Sequence, residues 1–225
     1  MEMLFVLGLL AFFVWKLSAR TRPTERSTYP ARQSRRPSVK AKPVPKQYVV
    51  VDLETTGLHC ERHEIIEIGA IRIDRDGEEH VTFNALVVPS KRIPGKITQL
   101  TGLTRKQLVK EGISLEEALP AFLEFCGDLP LVAYNAKFDR AFIERACSQV
   151  GRPMPSGEWH CALEVSRAAW PHMQSFRLSH LASVGGLNLD NEHRALGDCQ
   201  RAATIYQTAV RTLLGEDSWR ASEPY

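Results

Sequence analysis

Three runs of strand-like periodicity open the part of the chain that can bury a core. Residues 48–53 form a run that is apolar except at Asp52 and has β-branched side chains, which is typical of a strand buried on both faces. Residues 65–73 and 80–88 alternate between apolar and polar positions, with turn residues at Asp76 and Gly77 between them. We therefore expect these three runs to form a meander of antiparallel strands.

Helical periodicity dominates the second half of the chain. Residues 114–126 have helical spacing, and Ser114 followed by Glu117 forms a capping box at their start. The other predicted elements are a short strand at 131–134 and helices at 137–150, 178–184 and 194–214. The pattern therefore predicts an α/β fold with a mixed sheet and helices after its fourth and fifth strands.

The N-terminal segment has a different pattern. An unbroken apolar run covers residues 3–15, which is short of the roughly 17–25 residues that cross a bilayer, but Leu17 and a snorkelling Lys16 bring it near the lower limit. The positive charges all follow the run, an order that keeps the following chain in the cytoplasm. We expect residues 1–17 to be an uncleaved membrane anchor, in a bacterial inner membrane. A cleaved signal peptide and an over-extended start codon are the alternatives, and a chain without an anchor would be cytoplasmic.

Charge also separates the N-terminal part of the chain from the rest. Residues 1–46 have a net charge of +8 and residues 47–225 have a net charge of −5, so the basic pI of about 8.6 comes from the N-terminal part. Residues 18–46 are rich in Arg, Lys, Pro and Ser and are expected to be a disordered linker. Their charge would suit anionic lipid headgroups or nucleic acid, and a solvated spacer is the alternative. The folded domain is then expected at 47–214, with a short polar tail at 215–225.

Composition narrows the class of protein. A mildly acidic domain is not the usual electrostatic footprint of a nucleic-acid binder, although an acid-rich metal site would account for part of the negative charge. The five cysteines contain no CxxC pair and their count is odd, which argues against a disulfide framework and against a structural zinc site. We expect them to be small buried residues in a reducing compartment.

Two acids stand at the end of the first predicted strand. Asp52 and Glu54 follow the apolar run directly, and the next basic residue is Arg62. Like charges at this spacing repel, and burying them costs free energy unless positive charge neutralises them. Because no Lys or Arg is near in sequence, we expect a metal ion to supply the positive charge. A solvated strand end is the alternative.

Three further ionisable residues stand at comparable places. Asp139 lies in YNAKFD, where a strand gives way to a helix, and Asp198 lies near the start of the last helix. His193 precedes Asp198 by about one turn, so both can face the cleft at the end of the first strand. Taken alone, Asp139 could be an acid favoured by the helix dipole, and His193 a residue without a role.

The segments DLETTG, NAKFD and HRALGD together resemble the motifs of the DnaQ-like, or DEDDh, 3′–5′ exonucleases, in the same order. The resemblance implies a ribonuclease-H-like fold, in which helices flank a mixed five-stranded sheet. It implies that Asp52, Glu54, Asp139 and Asp198 hold two divalent cations, Mg²⁺ or Mn²⁺, with Asp52 bridging both. His193 would then be the general base that activates a water, and the terminal nucleotide would leave as a nucleoside 5′-monophosphate.

The resemblance also assigns contacts with the terminal nucleotide. The residues concerned are Thr55, Thr56, Gly57 and Leu58 in the turn after the first strand, and Tyr134 and Asn135 in the third motif. Two positions depart from the family pattern. Tyr134 stands where the family usually has His, and Thr101 stands before Gly102 where a His-Gly pair is common. Because Tyr can still donate a hydrogen bond, we expect altered substrate handling and not a loss of chemistry.

These features predict a metal-dependent 3′–5′ exonuclease that acts on single-stranded DNA or RNA ends. One alternative is a proofreading subunit, which would have a polymerase as its partner. The other is a non-catalytic module that binds nucleic-acid ends. Some members of the family are dimers, so a homodimer is also considered. The choice between DNA and RNA depends on contacts with the 2′-hydroxyl group, which motif spacing does not reveal.

Overall fold

The computed structural model describes residues 42–74, 80–190 and 193–216. Within these ranges the chain forms five strands and seven helices. The strands are β1 (Gln47–Thr55), β2 (Ile65–Asp74), β3 (Val81–Leu86), β4 (Leu131–Ala133) and β5 (Trp159–Cys161). The helices are α1 (Gly95–Thr101), α2 (Arg105–Glu111), α3 (Leu115–Cys126), α4 (Ala136–Val150), α5 (Ala162–Ala169), α6 (Leu178–Val184) and α7 (Ala195–Leu214).

One mixed sheet organises the fold, with the strand order β3-β2-β1-β4-β5. β1, β2 and β3 form the predicted antiparallel meander, whereas β1 with β4 and β4 with β5 are parallel pairs. The expected mixed five-stranded sheet with helices is therefore confirmed. Periodicity did not locate β5, α1, α2 or α5, which have three to eight residues, although it did locate β4 and α6, which are equally short.

β1 has a hydrophobic core on each of its faces, which explains its unbroken apolar run. Val49 and Val51 belong to a cluster with side chains of α3 and α4. Tyr48 and Val50 belong to a second cluster with side chains of α7. Successive side chains of a strand point to opposite faces, so the sheet is covered by α3 and α4 on one side and by α7 on the other.

The same alternation places Asp52 and Glu54 on the face that α7 covers. Gly69 of β2 pairs with Asp52, and a Cβ atom at Gly69 would lie 2.6 Å from the Cβ atom of Ala195. A side chain larger than hydrogen would therefore collide with the start of α7. This glycine allows the first turn of α7 to pack closely beside the end of β1.

The expected anchor at residues 1–17 lies outside the described residues, as do most of the expected linker and residues 217–225 of the tail. In the described part of the chain, no helix combines the length and the hydropathy that crossing a membrane requires. The first described residues pack on the domain. Lys42 Nζ donates a hydrogen bond to Glu158 Oε1 at 2.8 Å, and Val44 is buried in the cluster on the α7 face.

Candidate active site

The C-terminal end of β1 holds two carboxylates on the α7 face of the sheet. Glu54 is buried, with 8% of its surface exposed, and Asp52 is partly buried. Glu67 of β2 is the register partner of Glu54 and is fully buried. Directly opposite residues of adjacent strands point to the same face, so three acids share it and their charges repel.

Asp139 joins these acids from the first turn of α4. It is buried, and burial raises the pKa of its carboxyl group. Hydrogen bonds from the backbone N–H groups of Asp139 itself and of Leu53 lower that pKa, but they do not cancel the rise. Leu53 lies between Asp52 and Glu54 in β1, so this hydrogen bond places Asp139 beside both acids.

The start of α7 brings in the last two predicted residues. Asp198 lies in the first turn of α7, and His193 lies two residues before the helix begins. One ligand atom from each of Glu54, His193 and Asp198 lies within 4.8 Å of the others. His193 has a φ angle of 60°, in the left-handed region that few residues other than glycine adopt. The backbone is therefore strained at this site.

Burial and mutual repulsion act on the carboxyl groups together. Burial, followed by the charges of the neighbouring carboxylates, raises the pKa of Asp52 well above its ordinary value. The same two causes raise the pKa of Glu54 to about 8, although Arg194 opposes the rise. The cluster therefore resists full ionisation unless positive charge is added to it.

Two arginines compensate part of the negative charge. Arg194 donates to Glu67 from Nε at 3.1 Å and from Nη2 at 2.9 Å. Arg201 is buried and donates from Nε and Nη2 to Oδ1 of Asp198, at 3.0 and 2.8 Å. Among the residues that the structure describes, no lysine or arginine forms an ion pair with any of the other three carboxylates.

The donor set suits a hard divalent cation. Asp52, Glu54, Asp139 and Asp198 supply carboxylate oxygens, which are the ligands that Mg²⁺ and Mn²⁺ prefer. A bound cation would also remove the repulsion that raises the pKa values of these groups. The residues therefore fit the expected pair of divalent cations. Which carboxylate binds which ion stays a prediction.

The turn after β1 is continuous with the acid-bearing strand and is held by hydrogen bonds. Thr55 Oγ1 donates to the carbonyl oxygen of Gly57 at 2.7 Å. Thr56 exchanges two hydrogen bonds with the backbone of Glu64, at 2.8 and 2.9 Å. Leu58 is 78% exposed, so its side chain is accessible to a ligand. Contact of these residues with a nucleotide stays a prediction.

Tyr134 and Asn135 lie where β4 gives way to α4. The Tyr134 hydroxyl donates to the carbonyl oxygen of Phe176 at 2.6 Å, so it ties β4 to the segment before α6. Asn135 is exposed. The hydroxyl of Thr101 donates to the carbonyl oxygen of Ile97 at 3.0 Å, within α1. Both hydroxyl groups thus have partners inside the protein, and the substrate contacts of Tyr134 and Asn135 stay predictions.

Sequence reasoning missed three members of the cluster, namely Glu67, Arg194 and Arg201. Glu67 is the single charged residue in the apolar run IIEIGAI, and a lone charge inside such a run is a signal that could have identified it. Arg201 follows Asp198 by three residues, a spacing at which helical side chains meet. Nothing in the sequence points from Arg194 to Glu67, because their contact joins residues 127 positions apart.

The fold and the carboxylate cluster together define an α/β protein with a candidate metal site, and comparison with known proteins names its family. Residues 49–206, more than half of the chain, match the family model described as Exonuclease (RNase_T). The DNA polymerase III subunit epsilon of Aquifex aeolicus is 35% identical over 159 residues, which are 71% of this chain and 78% of that protein. The chain therefore belongs to the exonuclease family, and its resemblance to DnaQ-like exonucleases is confirmed.

Other relatives are much longer than this chain. The PolC-type DNA polymerase III of Clostridium perfringens is 35% identical over 170 residues, which are 76% of this chain but 12% of that protein. Among solved structures, E. coli exonuclease I in complex with a dT13 oligonucleotide has a TM-score of 0.68 at 18% identity, and the match covers 76% of this chain and 43% of that chain. This likeness shows the fold, which is the expected ribonuclease-H-like fold of an exonuclease.

Proposed function

We propose that the chain is a metal-dependent 3′–5′ exonuclease that acts on single-stranded nucleic-acid ends. The observation that carries the proposal is the buried carboxylate cluster at the end of β1, in which two arginines face five acids and His193 lies beside Glu54 and Asp198. Membership of the exonuclease family supports a nuclease. The exonuclease I complex with an oligonucleotide supports a single strand as the substrate.

The side chains of the cluster would have separate roles in the reaction, namely metal binding and proton transfer. Asp52, Glu54, Asp139 and Asp198 would hold two divalent cations, which when bound supply Lewis acidity at the scissile phosphate. His193 would accept a proton from the attacking water, a role that imidazole performs in many enzymes. The water oxygen bonds to phosphorus and the bond from phosphorus to the 3′-oxygen of the preceding nucleotide breaks. That oxygen takes up a proton, and the terminal nucleotide leaves as a 5′-monophosphate.

The turn after β1 would receive the terminal nucleotide, because it follows the acid-bearing strand directly and exposes Leu58. Thr55, Thr56 and Gly57 would shape the floor of this turn, because Thr55 and Thr56 are buried and their hydroxyl groups bond to neighbouring backbone. Asn135 would contact the nucleotide from the start of α4. Tyr134 would act beside it, with its hydroxyl group held by the segment that precedes α6.

The test is an end-directed cleavage assay on the full-length chain. Single-stranded DNA and RNA, each labelled at the 5′ end, are incubated with Mg²⁺ or Mn²⁺. Shortening from the 3′ end is expected. Asp52→Asn should lower the rate by more than about 100-fold, because even the loss of groups that merely support metal ligands costs 10- to 100-fold. Glu124→Gln, the same chemical change at an exposed position of α3, is the control. Binding of ends without release of nucleotides would instead support the non-catalytic module.

A proofreading role is the second candidate, and the identity to a DNA polymerase III subunit epsilon favours it. The rates of removal of a paired and of a mismatched 3′ nucleotide on a primer–template are compared, with and without a replicative polymerase subunit. A proofreader should form a stable complex with that subunit and should remove the mismatched nucleotide faster. Equal activity with and without the polymerase, and no complex on gel filtration, would leave the enzyme as an independent exonuclease.

We also propose that residues 1–17 attach the enzyme to the cytoplasmic face of a membrane. The support is the apolar run at 3–15 and the positive charge that follows it. The full-length chain should then sediment with membranes, resist extraction by salt and be released by detergent. A chain that begins at residue 18 should stay in the supernatant. Equal distribution of the two chains would overturn this part of the proposal.

A further inference from the structure

Charge is divided unevenly within the domain, and one segment of it is strongly basic. Residues 91–110, called here the basic segment, contain six Lys or Arg residues and no acid, whereas the rest of residues 47–225 has a net charge of −11. All six basic residues are exposed, namely Lys91, Arg92, Lys96, Arg105, Lys106 and Lys110. A polyanion that approaches the domain is therefore attracted by this segment and repelled by most of the remainder.

The basic segment begins where the acid-bearing strands end. β3 leaves the sheet at Leu86, which is the register partner of Glu67 in the carboxylate cluster. The backbone N–H group of Lys91 donates to Glu64 Oε2 at 3.0 Å. The backbone of Glu64 in turn pairs with Thr56, in the turn that follows Glu54. Two successive contacts thus connect Lys91 to the turn at the candidate active site.

A small core of its own holds the basic segment against the sheet. Ile93, Leu103 and Leu108 are buried together with Ile66 of β2. Arg105 Nη1 donates to two carbonyl oxygens of the loop before α1, at 3.1 and 2.8 Å, so this arginine supports the loop. The other five basic side chains are exposed, although Lys91 Nζ also donates to the carbonyl oxygen of Arg62 at 3.4 Å and Lys110 Nζ lies 3.8 Å from Glu111 Oε1.

We infer that the basic segment binds the phosphodiester backbone of the nucleic-acid strand whose 3′ end occupies the carboxylate cluster. The inference rests on the proposed function. The acids alone repel a strand, and cations that neutralise them act at the terminal phosphate, so the preceding phosphates need positive charge from the protein. Lysine is suited to this task because it contacts phosphate as a point charge without demanding a particular base.

The test compares two double variants, each of which replaces two positive side chains by neutral ones. Lys106→Gln/Lys110→Gln removes two charges that share one face of α2, since they are four residues apart. Arg152→Gln/Arg211→Gln removes two exposed charges elsewhere on the domain. Binding of a labelled single strand of roughly 20 nucleotides is measured by anisotropy in Ca²⁺, at several salt concentrations. Each lost phosphate contact should reduce the slope of log K against log salt by about 0.7, and affinity near 0.1 M salt should fall on the order of 10-fold.

Two substrates separate this inference from the proposed function. A chromogenic aryl ester of a nucleoside 5′-monophosphate has the scissile phosphate but no preceding ones, so Lys106→Gln/Lys110→Gln should hydrolyse it at the wild-type rate. The KM for the long strand should rise for this variant and stay unchanged for the control variant. If the wild-type protein cleaves neither substrate, the proposed function fails. If it cleaves both and the lysine variant keeps its affinity and salt slope for the long strand, the inference about the basic segment fails alone. Unchanged strand affinity with lost binding to phosphatidylglycerol vesicles would assign the segment to lipid headgroups and overturn the inference.

Discussion

Glu54→Gln should stabilise the metal-free protein while it removes a candidate metal ligand. The pKa of Glu54 rises from 4.5 in a solvated state to about 8 in the fold, mainly because the side chain is buried and then because Asp198, Glu67 and Asp139 repel its charge. A group whose folded pKa is raised binds a proton that the unfolded chain has already lost. Stability therefore falls as the pH rises from the unfolded pKa through the folded one.

The size of the effect follows from the pKa difference. One pKa unit corresponds to about 1.4 kcal/mol, so a carboxyl group with the shift of Glu54 costs the ionised, metal-free fold on the order of 5 kcal/mol. Burial and the neighbouring carboxylates raise the pKa of Asp52, and burial raises that of Asp139, so the cluster loses its protons stepwise and this value is an upper bound for one substitution. The amide of Gln carries no charge. The gain from Glu54→Gln should be small at about pH 5 and largest above about pH 8.

Urea unfolding in EDTA, followed by tryptophan fluorescence at about pH 5 and about pH 9, measures the free energy of unfolding for both proteins. Saturating Mg²⁺ should reduce the advantage of the variant, because a ligand at 100 times its Kd stabilises the wild-type fold by about 2.7 kcal/mol and the variant should bind Mg²⁺ more weakly. Glu124→Gln controls for the loss of one surface charge. Metal-free wild-type protein that became more stable with rising pH, or a variant without a gain at alkaline pH, would refute the reasoning.

Three further substitutions test the surroundings of the cluster. Arg194→Gln should lower the free energy of unfolding in urea by about 3 kcal/mol, because it leaves the buried Glu67 without its arginine. Adding Glu67→Gln should recover most of this loss, and additive losses would contradict the pairing. Gly69→Ala should cost about 1–3 kcal/mol and reduce cleavage, since its Cβ atom would push the start of α7 away from β1; full activity would contradict that packing. Tyr134→Phe removes the hydrogen bond to Phe176 and should lower the free energy of unfolding by about 1 kcal/mol. The variant should still hydrolyse the chromogenic ester, and complete inactivity would mean that the hydroxyl group acts in the chemistry.

The sequence allowed prediction of those parts of the site that lie beside long periodic elements. Asp52 and Glu54 were found because they interrupt the pattern of a buried strand, and Asp139 because it opens a clear helix. Glu67 was missed because an acid in an alternating strand is usually solvated. Its burial depends on the packing of α7 over Gly69, which is a tertiary contact.

The short elements were missed for a different reason. α1 and α2 have seven residues each, and their apolar positions form a small core with β2 and do not repeat along a helix face. β5 has three residues. Such elements are specified by the neighbours on which they pack and by their caps, and the Thr104 cap that opens α2 and the Gly102 that ends α1 are signals that the sequence does contain. The basic segment was hidden in the same way, because the net charge of the whole domain averages over it.

The arginines of the site explain how a strained histidine can be held beside carboxylates that repel one another. Arg201 Nη1 donates to the carbonyl oxygens of Asn188 and Asp190, at 3.1 and 3.3 Å, while its other nitrogens contact the aspartate of α7. Arg194, directly after His193, is bound by a buried glutamate of β2. The chain is therefore anchored on both sides of His193, and planar guanidinium groups suit this task because one side chain can reach several oxygens at once. Arg194 neutralises Glu67, which is not a predicted metal ligand, and Arg201 orients Asp198 beside the acids of β1 and α4, with which Asp198 would bind cations. A lysine at position 194 or 201 would supply the charge but not the second contact. The need to hold His193 in place, more than the charge of the cluster, therefore explains why both residues are arginines.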